Sequence, residues 1–307
     1  MRNRKIALEP KQFPAYLDAI TSSGGEVVPL ESDVTALVWT DYSRPDLLAT
    51  VLEENPQLSW VQLPFAGVDA FEAILKCDVV FTSAKRSYSE PVAEHALMLM
   101  MASGRILKTR SLAKTWGKKH AESLYDAKVV IVGGGGIAQE LVKQLAVFRS
   151  EVVIVRKRVN QPFDHSRFSR TVGFDALDQE LTDAKFVVLA CALTSETRLL
   201  FNDDRFGFLP KGAYLVNVSR GEVVDQEALH RALSQSRLAG AAIDVTYPEP
   251  LPKGHPLWEL ENLIITPHTA DTMQIVTELF ARRLRENVSA WLAGTPMVGV
   301  VDKDLGY

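Results

Sequence analysis

Short apolar runs rich in valine, isoleucine and leucine recur along the chain, separated by segments whose apolar positions follow helical spacing. That alternation predicts βαβ units built on parallel sheets, and argues against a sandwich or a helical bundle. A first series of strands is expected at Lys5–Glu9, Glu26–Leu30, Ala36–Thr40, Ser59–Leu63 and Asp78–Thr82. A second series is expected at Lys128–Gly133, Glu151–Arg156, Lys185–Cys191, Ala213–Asn217, Ala239–Asp244 and Leu263–Thr266. Between the two lies Pro91–Ile106, apolar on nearly every face and opened by a proline suited to a first helical turn. Such a helix has to be buried, as at a domain junction. After Thr269 the pattern is helical through Trp291, and the last residues offer no continuation of a sheet. The chain therefore reads as a nucleotide-type domain, residues 97–275, inserted into a first domain made of 1–96 and 276–307. A length of 307 residues suits two domains.

Composition narrows the function classes. Hydrophobic residues at 47% and charged residues at 23% are globular values, so disorder and coiled coils are excluded. A net charge of −4 supplies no general footprint for nucleic acid or anionic membrane. Cys77 and Cys191 are far apart, sit in apolar runs and match no metal-ligand spacing, so no metal is expected and both read as buried thiols of a reducing, cytoplasmic protein. The apolar run after the basic N-terminus is too short for a signal-peptide core, and no stretch approaches the ~20 residues that span a bilayer.

The sharpest chemical signal is Val129–Ala138, which fits G-x-G-x-x-A between an apolar strand and a helical stretch. Gly133 permits the tight turn, Gly135 lets a pyrophosphate approach backbone N–H groups, and Ala138 lets helix and strand pack closely. Where an acidic residue would accept the ribose hydroxyl of NAD, the following strand ends in Arg156-Lys157-Arg158. Three cations there suit a 2′-phosphate, so NADP is favoured over NAD; the alternative is a solvated basic turn. Further on, Arg220, Glu249 and His268 each follow a predicted strand, at the strand edge where open parallel sheets bind ligands. Taken singly, a surface ion pair, a solvated loop residue and a packed histidine would explain them. His95, on the apolar helix, reads as a packed residue, and Trp39, Trp60, Tyr88 and Trp258 as core or pocket lining.

Over nearly its whole length the chain resembles the D-isomer-specific 2-hydroxyacid dehydrogenases. The resemblance runs from Pro64-Phe65-Ala66-Gly67-Val68-Asp69 through Val92-Ala93-Glu94-His95 and the glycine turn. It continues in Asn217–Leu229, Asp244-Val245 with Glu249-Pro250-Leu251-Pro252, and Pro267-His268. It implies an α/β fold of two doubly wound parallel-sheet domains, a Rossmann-type cofactor domain inserted into a flavodoxin-like substrate domain. It further implies that His268 is the acid/base, Glu249 its partner, and Arg220 the group binding substrate carboxylate and carbonyl. Backbone N–H groups of Ala66, Gly67 and Val68 would help hold the carboxylate. The cofactor would lie against Gly133, Gly135, Gly136, Ile137, Arg156, Lys157, Arg158, Cys191, Ala192, Thr197, Val218 and Ser219, with Asp244 on the nicotinamide carboxamide. The chain departs from the family pattern at Gly136, Ala138 and Ala190–Thr194, positions that bear on cofactor affinity. The implied activity is reduction of a 2-oxo acid of glyoxylate or hydroxypyruvate size, reversibly, by a homodimer. Two alternatives stand beside it: a dinucleotide-binding sensor or scaffold on the same fold, and a formate- or phosphite-type dehydrogenase, against which Glu249 argues.

Overall fold

The computed structural model describes residues 3–117 and 120–303. The chain divides into two compact units, Met1–Tyr88 with Thr272–Tyr307, and Ser89–Asp271. The first unit runs β1 (Lys5–Glu9), α1 (Pro14–Ser22), β2 (Glu26–Val27), β3 (Ala36–Trp39), α2 (Pro45–Glu54), β4 (Trp60–Gln62) and β5 (Val80–Thr82). The second holds α3 (Ser89–Gly104), α4 (Leu107–Leu112), β6 (Lys128–Val132), α5 (Gly136–Ala146), β7 (Glu151–Val155), β8 (Ser169–Val172) and α6 (Leu177–Leu181). It continues with β9 (Phe186–Leu189), α7 (Asp203–Phe208), β10 (Tyr214–Asn217), α8 (Gln226–Ser234), β11 (Gly240–Ile243) and β12 (Leu263–Ile265). The last helix, α9 (Met273–Ala293), returns to the first unit.

All strands pair in parallel within their sheets, in the order β2-β1-β3-β4-β5 in the first unit. This is the doubly wound order of flavodoxin-like sheets. The second sheet, β12-β11-β10-β9-β6-β7-β8, also wholly parallel, follows the dinucleotide-binding order and reverses direction between β6 and β9. Residues 129–132, 152–155 and 187–189 are completely buried, as expected of strands covered by helices on both faces. Trp39 and Trp60 are core residues of the first unit, and Trp258 is partly exposed, at 44%.

Several expectations change. Position 97 falls inside α3 and position 275 inside α9, so the structural boundaries, at Ser89 and Thr272, keep both helices whole. The apolar helix α3 packs on α5 and the β10–β12 side of its own sheet. β2 is shorter than expected, Glu26–Val27, with Val28 still donating its N–H to Ile6 O at 3.2 Å. Strand β8 was not expected: Ser-Arg-Thr-Val is polar and only partly buried, an edge pattern without an apolar run. The chain end does extend the first sheet, because Val300 forms an antiparallel bridge with Thr82 and Val301 donates its N–H to Phe81 O at 2.9 Å.

Candidate active site

Three neighbouring strands build the site by register. Asn217 at the end of β10 aligns with Ile243 of β11, which aligns with Ile265 of β12. The segments that follow, carrying Arg220, Asp244 to Glu249 and Thr266 to His268, thus emerge side by side at one sheet edge. Asn217 organises the first: its Oδ1 accepts the Ser219 N–H and hydroxyl at 3.0 and 2.7 Å, and its Nδ2 donates to Arg220 O at 2.9 Å. Gly221 brings the second against it, since a β-carbon there would stand 2.0 Å from the Thr246 carbonyl carbon. No larger residue permits that approach.

His268 and Glu249 meet directly, with Nδ1 3.0 Å from Oε2. The other Glu249 oxygen accepts the Thr246 N–H at 3.0 Å, which sets the carboxylate's orientation. The hydrogen bond to Glu249 raises the His268 pKa above the ordinary histidine value, with burial and the Arg220 charge opposing. Burial works against the Glu249 carboxylate, but His268, the Thr246 N–H and Arg220 outweigh it and hold its pKa below the ordinary range. Arg220 donates from Nη1 to Ser219 O at 2.9 Å. A histidine held protonated by a carboxylate, beside a guanidinium, can give a proton to an oxygen that is gaining negative charge.

Asp244 is buried and organises the His268 segment. Its Oδ1 accepts from the Thr266 hydroxyl at 2.5 Å and the Thr269 N–H at 2.9 Å, and its Oδ2 accepts the Ala270 N–H at 3.1 Å. Burial raises its pKa, but hydrogen bonds from His95 and Thr266 more than offset this, and the carboxyl lies below its usual range. His95 belongs to this cluster, with Nε2 3.2 Å from Asp244 Oδ1; the sequence offered only a lone histidine on an apolar helix. Asp271 was also not anticipated. Burial pushes its carboxyl up, while the charges of His268 and Arg220 oppose.

At the switch point of the same sheet, Gly133 adopts φ +115°, and a β-carbon there would lie 2.4 Å from Ala190 O at the end of β9. Gly135 precedes α5 without a side-chain cap, and the space where its β-carbon would point is open. The first-turn N–H groups, in the region of Gly136 and Ile137, have no intrahelical acceptors, and with small residues around them the turn fits a dinucleotide pyrophosphate. Thr197 shapes the facing loop, donating to Ala192 O at 2.7 Å and accepting the Thr194 N–H at 2.8 Å. Cys191 is a free thiol whose pKa burial pushes up to about 12, so it stays protonated. Val218 and Ser219 are buried at the end of β10.

The three cations after β7 are not equivalent. Arg156 is buried over Gly134 and donates to Arg158 O at 2.7 Å and Gln161 O at 2.6 Å, so it braces its own loop. Lys157 is exposed and paired with Glu196 at 2.8 Å. Arg158 lends its carbonyl to Arg156. In the first unit, Tyr88 Oη donates to Pro64 O at 2.7 Å and Ala84 N–H to Phe65 O at 3.0 Å. Among the described residues, no backbone hydrogen bond takes the N–H groups of Ala66, Gly67 or Val68.

Residues 95–270 match the family described as D-isomer specific 2-hydroxyacid dehydrogenase, NAD binding domain. A glyoxylate reductase of Thermofilum pendens is 30% identical over 84% of this chain and 78% of its own length. Among solved structures, a D-isomer specific 2-hydroxyacid dehydrogenase of Xanthobacter autotrophicus, in complex with NADPH and MES, superposes with a TM-score of 0.85 at 27% identity, covering 99% of each chain. An NADPH-dependent glyoxylate/hydroxypyruvate reductase of Sinorhizobium meliloti, in complex with NADP and sulfate, superposes with a TM-score of 0.83 at 25% identity, again over 99% of each chain. On fold, strand order and these matches, the chain belongs to the D-isomer specific 2-hydroxyacid dehydrogenase family.

Proposed function

We propose that this protein reduces small 2-oxo acids of glyoxylate or hydroxypyruvate size, and reversibly oxidises the D-2-hydroxy acids, with NADP(H) preferred over NAD(H). The observation that carries this is the 3.0 Å His268–Glu249 pair beside Arg220 on adjoining strand ends. Bound NADPH supplies the hydride. With Nδ1 committed to Glu249, His268 Nε2 is the nitrogen left to give a proton to the carbonyl oxygen. Glu249 fixes the ring and favours its charged form. Arg220 anchors the substrate carboxylate by a two-point fork and steadies negative charge on the oxygen. Asp244 Oδ2 is an acceptor for the carboxamide.

NADP preference rests on Arg156, Lys157 and Arg158, and on the absence of an acidic residue at that strand end. The relatives from Xanthobacter and Sinorhizobium, bound to NADPH and NADP, support the same reading. We further propose a cytoplasmic homodimer, the location from the two unpaired thiols and the dimer from the α4 region, where Leu107, Leu112 and Trp116 are all exposed. Steady-state rates with a panel of 2-oxo acids and both reduced cofactors test the activity. His268→Ala should lower kcat by about 10²–10⁴-fold with NADPH binding retained; near-normal turnover refutes the assignment.

A further inference from the structure

His95 stands in α3, outside the proton-transfer pair and the glycine turn. Its Nε2 lies 3.2 Å from Asp244 Oδ1 and 3.2 Å from Thr266 Oγ1. The Thr266 hydroxyl hydrogen is already donated to Asp244 Oδ1, at 2.5 Å. Both neighbours of Nε2 therefore present only lone pairs, and Nε2 must carry a hydrogen. The imidazole is thus a donor fixed in one orientation.

What that donor holds is the segment around His268. Thr266, Thr269 and Ala270 all donate to the Asp244 side chain, and the His268 N–H donates to Asp244 O at 2.8 Å. His268 itself has φ +52°, left-handed backbone that a residue with a β-carbon keeps only where its surroundings over-determine it. We infer that His95 is a positioning residue: by donating from Nε2 to Asp244 and Thr266, it locks residues 266–270 in the left-handed turn that presents His268 to Glu249. This deepens the function proposed above and rests on it.

The test compares wild type with His95→Leu, Thr266→Val, the double variant and His95→Gln, whose amide restores a donor. Three quantities are read: kcat and KM for glyoxylate with NADPH, the NADPH Kd by fluorescence, and the His268 ring titration by NMR in the protein alone. His95→Leu and Thr266→Val should each lower kcat by about 10–100-fold, as expected for a displaced acid, with NADPH Kd within about twofold. The His268 titration should move down towards the ordinary histidine value as its bond to Glu249 loosens. His95→Gln should recover most of kcat, and the double variant should be no worse than the worse single one, because both remove the same network. A kcat within about twofold of wild type, a loss confined to NADPH affinity, or an unmoved His268 titration overturns the inference. If His95→Leu does not fold, Thr266→Val and His95→Gln decide it by the same readouts. If wild type turns over no 2-oxo acid, the function proposed above fails, while the NMR titration still decides the role of His95.

Discussion

Between His268 and Glu249 the two shifts run in opposite directions, each partner stabilising the charged form of the other. Reduction needs the protonated imidazole, so its rate should hold above the ordinary histidine range and fall only as pH rises through the raised value. Glu249→Gln removes the charge and weakens the hydrogen bond. The alkaline limb of kcat for reduction should then move to lower pH, and the acid limb of the reverse reaction should move the same way; profiles that coincide with wild type contradict the pairing. For the cofactor, kcat/KM should favour NADPH over NADH by about tenfold or more, the worth of one charge-assisted contact to a phosphate. An NADH preference would show that the Arg156–Arg158 cations serve the loop alone. That Arg220, Glu249 and His268 each follow a strand was legible along the chain; their joint role was implied only by the family resemblance. His95 was not, because nothing along the chain shows which acceptors a lone imidazole on an apolar helix will meet.

At the level of elements, the site is a consequence of strand ends in register. The β10, β11 and β12 runs were readable because buried parallel strands are continuously apolar; β8 was not, because an edge strand lacks that pattern. The close contact at Gly221 joins two of the three segments, and Gly221→Ala tests its importance. A methyl group 2.0 Å from the Thr246 carbonyl carbon must displace one loop. We expect a loss of about 1–3 kcal/mol in thermal or denaturant unfolding, as for overpacking elsewhere. kcat/KM should fall further than stability alone explains, since Arg220 and Glu249 flank the contact. Unchanged unfolding and kinetics would mean that the loops yield freely.

For the molecule as a whole, the first unit takes its polypeptide from both chain ends, and α9 and the Val300 bridge bring the C-terminal segment onto the N-terminal sheet. Arg283 ties the same ends together, donating to Ser83 O at 3.0 Å and Lys85 O at 2.9 Å. On the second unit, Trp116 is fully exposed close to Leu112, which is 70% exposed. If these side chains form the proposed dimer contact, Trp116→Glu should convert a dimer to a monomer in light scattering at micromolar concentration. A wild-type monomer, or an undisturbed dimer, removes that contact from consideration.

The order of apolar runs, the glycine turn and the residue types after each strand determined the α/β class, the presence of a dinucleotide-type turn and the placement of Arg220, Glu249 and His268 after strands. Those features are local, set by side-chain period and by backbone conformations only certain residues adopt. Tertiary structure alone decided which strand lies next to which, that His95 donates to Asp244, that Arg156 folds back over Gly134, and that Val300 bridges to the edge of the first sheet. Each of these is a contact between residues distant in the chain, and a linear pattern carries no record of the partner that a hydrogen bond or a buried side chain will find.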